Sequence, residues 1–106
     1  MVNQIKTVAQ LSDILKNNPK VLIDFFATWC GPCVKISPVF EKLAEQNKEK
    51  VHFLKIDVDE AEEICGKYNV TSMPTFVAIN KGQEFSRILG ADEQQLKNLI
   101  DKLSKQ

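Results

Sequence analysis

The sequence has little cysteine, little glycine and no net charge, and each shortage excludes something. Three cysteines in 106 residues are too few, and an odd number, for a secreted domain stapled by disulfides. Four glycines, Gly31, Gly66, Gly82 and Gly90, are too scattered for the G-x-G-x-x-G loop that cradles a dinucleotide, so no nicotinamide or flavin is expected by that route. Fourteen basic and fourteen acidic residues cancel, leaving no field of one sign to hold nucleic acid or an anionic membrane. No apolar run approaches the roughly 20 residues that span a bilayer. The opening MVNQIKTVAQ lacks the apolar core of a secretory signal. These absences predict a cytoplasmic protein with neither nucleic acid nor membrane as partner. Repeats, low-complexity stretches and linkers are missing too, and the length suits one domain, 1–106, with one core.

Hydrophobic residues make up 43% of the chain, and their spacing marks alternating strands and helices. VNQIK (2–6) reads as a short strand. Thr7 and Gln10 form a capping box ahead of a helix with Val8, Leu11, Ile14 and Leu15 on its buried face, and NNPK stops it. VLIDFFA (21–27) is apolar and partly β-branched, the character of a buried central strand. A long helix follows, with Ile36, Val39, Phe40, Leu43 and Ala44 as its stripe and Pro38 as an expected kink. VHFLKIDV (51–58) is a third strand, and Ala61, Ile64, Cys65 and Tyr68 mark a short helix. TFVAIN and EFSRIL are strands joined by Lys81-Gly82. Asp92 and Gln95 form a second capping box, ahead of a helix carrying Leu96, Leu99, Ile100 and Leu103. The order β-α-β-α-β-α-β-β-α predicts parallel strands with helical crossovers at the front and an antiparallel edge at the end.

The residues that carry chemistry stand in ATWCGPCVK, 27–35. Pro32 suits the first turn of a helix, where its missing N–H is no loss. Cys30 then lies at the helix N-terminus and Cys33 one turn inside. Unpaired N–H groups and the helix dipole favour a thiolate there, and thiolate is the attacking form in disulfide exchange. At about 100° per residue, Cys33 lies roughly 50° from the centre of the buried stripe and Cys30 more than about 100° away. The expectation is an accessible attacker, Cys30, and a sheltered partner, Cys33. A disulfide between them closes too small a ring to staple the fold, whereas a reversible switch makes sense at this spacing. Zinc is the alternative. A structural zinc wants four ligands, and beyond the pair only Cys65 and His52 remain, neither in a second pair.

DFFATWCGPC, 24–33, resembles the signature of the thioredoxin family, and SMPTF, 72–76, resembles its second landmark. KGQ and Gly90-Ala91 match in order and spacing, so the resemblance covers essentially the whole chain. It implies the thioredoxin fold, an α/β structure with a central five-stranded mixed β-sheet flanked by four α-helices. It implies a protein-disulfide reductase in which the Cys30 thiolate attacks a target disulfide and Cys33 resolves the mixed disulfide. The product is a redox-active Cys30–Cys33 disulfide and a reduced target. Gly31-Pro32 is the pattern of reducing members, while oxidases and isomerases of the superfamily usually carry His before the second cysteine. Such an oxidase or isomerase is the first alternative, and a thiol- or zinc-binding module without turnover is the second. No bound cofactor or metal is implied. Electrons would come from NADPH through a separate flavoprotein, thioredoxin reductase. The implied partners are that reductase and disulfide-containing target proteins, with the protein itself a monomer.

Other residues have two readings. Asp24 is the lone charge in VLIDFFA. From the pattern alone it points to water or pairs with Lys55 on a neighbouring strand. By the resemblance it lies beneath Cys33 and passes protons, with Lys55 as its electrostatic partner. Trp29 could be core, but beside a solvent-facing thiol it reads better as an apolar rim for substrate. Pro74 would ordinarily follow a trans bond, cis being found in only about 5% of such bonds. The resemblance implies cis, with the Met73 backbone set to pair with an extended substrate segment. Gly90 reads as a strand-ending turn or, with Ala91, as the family's third substrate-contacting loop. Cys65 reads as a small buried hydrophobe, and His52 is given no function. Two positions depart from the family: Phe26, where many members have Trp, and Val34, where Lys or Arg is common. The second departure removes a cation beside the pair and leaves the potential and partner preference open.

Overall fold

In a computed structural model, which describes residues 2–106, the elements run β1 (Asn3–Gln4), α1 (Val8–Asn17), β2 (Lys20–Phe26), α2 (Gly31–Asn47), β3 (His52–Asp57), α3 (Glu62–Lys67), β4 (Thr75–Asn80), β5 (Gln83–Leu89) and α4 (Glu93–Ser104). This is the order read from periodicity, although β1 keeps only two of its five expected residues. One sheet holds the strands in the order β1-β3-β2-β4-β5. β1, β3 and β2 are parallel, and β4 and β5 run antiparallel to their neighbours. The five-stranded mixed sheet with four helices is the architecture the resemblance implied.

Successive side chains on a strand point to opposite faces, and β2 is buried on both. Val21, Ile23 and Phe25 pack with Leu54, Ile56 and Ile64 on the side of α1 and α3. Leu22 packs with Phe40, Phe76, Leu96 and Leu99 on the side of α2 and α4. Asp24 shares the face of Leu22, and on β3 Lys55 shares the face of Phe53. Asp24 and Lys55 are register partners, so the pleat sets a carboxyl and an ammonium side by side beneath α2. Phe40 fixes α2 over this face. Its ring meets Phe53 edge-on at 5.6 Å and stacks on Phe76 at 5.7 Å between centroids. Such pairs add about 0.5–1.5 kcal/mol each beyond burial.

Local chemistry sets the ends of the elements. Thr7 Oγ1 accepts the Gln10 N–H while Gln10 Oε1 accepts the Thr7 N–H, completing the first capping box. The second box is half made: Asp92 Oδ1 accepts the Gln95 N–H, and among the described residues no bond returns from the Gln95 side chain. Lys81 and Gly82 have φ of 54° and 82°, the paired positive values of a two-residue hairpin that matches strand twist. α2 runs through Pro38 as one helix. Pro38 has no N–H to donate to the carbonyl of Val34, and the missing bond falls on the exposed side.

Candidate active site

β2 ends at Phe26, and the chain turns into α2 through a helix cap made of sulfur. Cys30 is the N-cap, with an extended backbone at φ −88° and ψ 110°, and its Sγ accepts the Cys33 N–H at 3.2 Å. Sulfur occupies the place usually held by a Ser or Asp oxygen. Gly31 and Pro32 fill the first turn, where the missing proline N–H costs nothing. Cys30 and Cys33 are joined in a disulfide. The N–H bond and the helix dipole both favour the anion that Cys30 becomes on reduction.

The expectation that Cys30 stands in the open needs correction. In the disulfide form Cys30 is 6% exposed and Cys33 4%. The helical count does not apply to an N-cap residue, whose backbone lies outside the helix. Ala27, Phe26, Val58 and Met73 pack around the pair. Cys30 is distinguished instead by a contact across loops: its Sγ lies 3.7 Å from the Met73 carbonyl oxygen. The Met73–Pro74 peptide is cis. The Gly90 N–H donates to the Pro74 carbonyl at 2.9 Å, which ties the Gly90-Ala91 loop to the same place. Gly90 has φ of 96°, which favours glycine in this turn; a Cβ there would meet no atom within 4 Å, so the conformation and not a close approach sets the residue.

Trp29 is 68% exposed and Val34 61%, one on each side of the pair in the chain, and Leu89, 62% exposed, directly precedes Gly90. The Trp29 Nε1–H donates to Asp59 Oδ2 at 2.8 Å, which holds the indole beside the pair. Asp59 was not singled out in the sequence; it is one acid in the run DVDE, with nothing to mark it. Val34 faces outward from α2.

Asp24 lies behind the disulfide. It is 5% exposed, and its Oδ1 has no hydrogen-bond partner among the described residues. Burial raises its pKa from 3.8 to about 7, with Lys55 pulling it down and Glu41 pushing it up. Asp24 and Cys33 line one cavity of about 340 Å³, together with Val34, Ser37, Pro38 and Lys55. The expected pairing of Lys55 with Asp24 takes a different form. Lys55 Nζ lies 3.8 Å from Glu41 Oε2, and among the described residues it makes no ion pair with Asp24. The ammonium also sits 5.9 Å from the centre of the Phe26 ring. Glu41 carried no signal in the sequence beyond being one more charge on a helix.

The remaining titratable candidates lie elsewhere. Cys65 is half-buried rather than buried, and burial raises its thiol pKa, with Asp57, Asp59 and Glu62 adding to the effect. A thiol so placed is a poor nucleophile at neutral pH. Cys65→Ala should therefore leave disulfide reduction unchanged and alter stability by about 1 kcal/mol or less. Labelling of the oxidised native protein with a thiol reagent checks the assignment, since rapid reaction at Cys65 would contradict it. His52 Nε2 is buried and has no hydrogen-bond partner among the described residues, and burial lowers the pKa of the ring. Among the described residues no three His, Cys, Asp or Glu side chains gather as a metal would require. No helix among them is long and apolar enough to cross a membrane.

Comparison with known proteins agrees with this geometry. The thioredoxin family model matches residues 2–102. Thioredoxin 1 of Plasmodium falciparum is 42% identical over 102 residues, covering 96% of this chain and 97% of that protein. Thioredoxin-2 of Saccharomyces cerevisiae is 43% identical over 101 residues, covering 94% and 96%. The crystal structure of Malassezia sympodialis thioredoxin superposes with a TM-score of 0.93 at 40% identity, covering 98% of this chain and 91% of that one. Likeness of this extent in both sequence and backbone means that the chain belongs to the thioredoxin family, and that the sulfur cap of α2 is the working disulfide of a protein-disulfide reductase.

Proposed function

We propose that Cys30 is the nucleophile, Cys33 the resolving cysteine and Asp24 the proton acceptor in reduction of target disulfides. The observation that carries the reading is the placement of Cys30 Sγ. It caps a helix on one side and meets the Met73 carbonyl, in the cis-proline loop, on the other. In the dithiol form the Cys30 thiolate attacks one sulfur of a target disulfide. The Cys30–target bond forms, and the other target sulfur leaves as thiolate. Cys33 loses its proton to Asp24 and attacks Cys30 Sγ, closing the Cys30–Cys33 bond and expelling the second target thiolate. Two electrons have moved to the target, whose thiolates take up two protons.

The substrate lies as an extended segment along the backbone of Met73, opposite Trp29 and the Gly90-Ala91 loop. Support comes from the exposed Trp29 and from the bond between Gly90 and Pro74 that joins two of these loops. The dithiol is regenerated by a separate NADPH-dependent flavoprotein, thioredoxin reductase, the usual partner of the family. The protein so described is a cytoplasmic monomer in electron transport to protein disulfides.

The test is reduction of a protein disulfide with NADPH and a thioredoxin reductase, with and without this protein. NADPH oxidation should depend on the protein at catalytic amounts. A rate no greater than that without it would overturn the reading, and a strongly oxidising potential would favour the oxidase alternative.

A further inference from the structure

Glu41 takes no part in the sulfur chemistry, yet it sits where it governs a residue that does. Both of its oxygens are engaged. Oε1 accepts the Val2 N–H at 3.3 Å, and Oε2 lies 3.8 Å from Lys55 Nζ. The first contact anchors the carboxylate to the start of the sheet, and the second holds the ammonium. Lys55 is the register partner of Asp24, but its ammonium reaches ion-pair distance of Glu41 and not of Asp24. The groups facing Asp24 are Lys55 from β3, Glu41 and Cys33 from α2, and the apolar Phe76 from β4. Two carboxyls thus contend for one cation. An ammonium that moved onto Asp24 would fix it as a paired carboxylate, a weak base for a thiol proton.

We propose that Glu41 is a positioning residue of the resolving step: it holds the Lys55 ammonium on the α2 side of the cavity, leaving Asp24 free to take up the Cys33 proton and release it. The inference rests on the reading of Asp24 as proton acceptor. In that step the Cys33 S–H bond breaks and its electron pair forms the bond to Cys30 Sγ. The proton goes to the Asp24 carboxylate and leaves later through the cavity to the departing thiolate. Glu41 acts a second time through its own charge, which disfavours another negative charge on Asp24.

Glu41→Gln tests this in the whole chain, because the amide still accepts the Val2 N–H while the charge is gone. The readouts are the carbon-13 titration of the Asp24 carboxyl in the oxidised protein and the pH profile of target release in single turnover. In Glu41→Gln the Asp24 midpoint should fall, with the proton concentration at half-ionisation rising about threefold or more. The release profile should move with it. Glu41→Asp, which keeps the charge, should keep most of the native midpoint. In a Lys55→Gln background the effect of Glu41→Gln should shrink, because no ammonium is left to move. A midpoint unmoved by Glu41→Gln, or moved equally with and without Lys55, overturns the role of Glu41 and leaves that of Asp24 standing. A release profile that Asp24→Asn leaves unmoved overturns the role of Asp24 itself, and this inference with it.

Discussion

Cys33→Ser should freeze the protein on its targets as mixed disulfides through Cys30, and Cys30→Ser should abolish reduction and trap nothing. The asymmetry follows from where each sulfur sits. Cys30 Sγ meets the Met73 carbonyl across the loop, whereas Cys33 lines the cavity with Asp24. Resolution by Cys33 is intramolecular, and well-oriented internal groups act as if present at about 10⁵ M or more. Without Cys33, release must wait for outside thiols that are far more dilute, so adducts accumulate. Neither variant should fail by unfolding. In Cys30→Ser the hydroxyl can still accept the Cys33 N–H, since serine is a favoured N-cap. The lost disulfide closes so short a loop that it constrains the unfolded chain little. Non-reducing electrophoresis with mass spectrometry of the adducts reads the result. Trapping by Cys30→Ser rather than by Cys33→Ser would reverse the roles.

How much of this was legible differs residue by residue. The redox pair and its helix could be read because Pro32 and the stripe from Ile36 to Ala44 set the phase of α2. The stripe could not set the exposure of Cys30, which depends on the Met73 loop, more than forty positions later in the chain. The run at 21–27 announced a buried strand, but a strand buried on both faces shows no alternation, so it did not reveal which face Asp24 joins. That face is set by the packing of Leu22 against Phe40 and Phe76. The strand order β1-β3-β2-β4-β5 is likewise a matter of long-range pairing, which no local pattern records. Asp59 and Glu41 escaped for a plainer reason: an acidic residue on a loop or helix usually faces water, and only the folded chain shows one bonded to Trp29 and the other to Lys55.

Asp24→Asn should make the protein more stable above neutral pH and slower to release its targets. An unfolded aspartate titrates near about 3.9, whereas in the folded chain burial holds Asp24 at about 7. Between those values the folded state keeps a proton that the unfolded state has lost. Stability therefore falls as pH rises through this window, and the full penalty is present above it. At 1.36 kcal/mol per pKa unit the penalty amounts to about 4 kcal/mol. Asparagine stays neutral at every pH and escapes it. The unpartnered Oδ1 does not alter the comparison, because protonated Asp24 and the amide both leave that oxygen unsatisfied. Urea denaturation of the oxidised protein should show the gain at pH 8 and almost none at pH 4, with Tm at pH 8 higher by about 10 °C or more. The same substitution removes the acceptor for the Cys33 proton. A general base contributes about 10²-fold or more in typical cases. The loss here should fall near the low end, because a thiol is acidic enough to ionise in part unaided. Single-turnover release should slow on the order of tenfold to a hundredfold at pH 7, and its pH profile should lose the inflection near the Asp24 midpoint. Lower stability at pH 8 would show that the carboxylate is well solvated after all. An intact inflection would show that another group carries the proton.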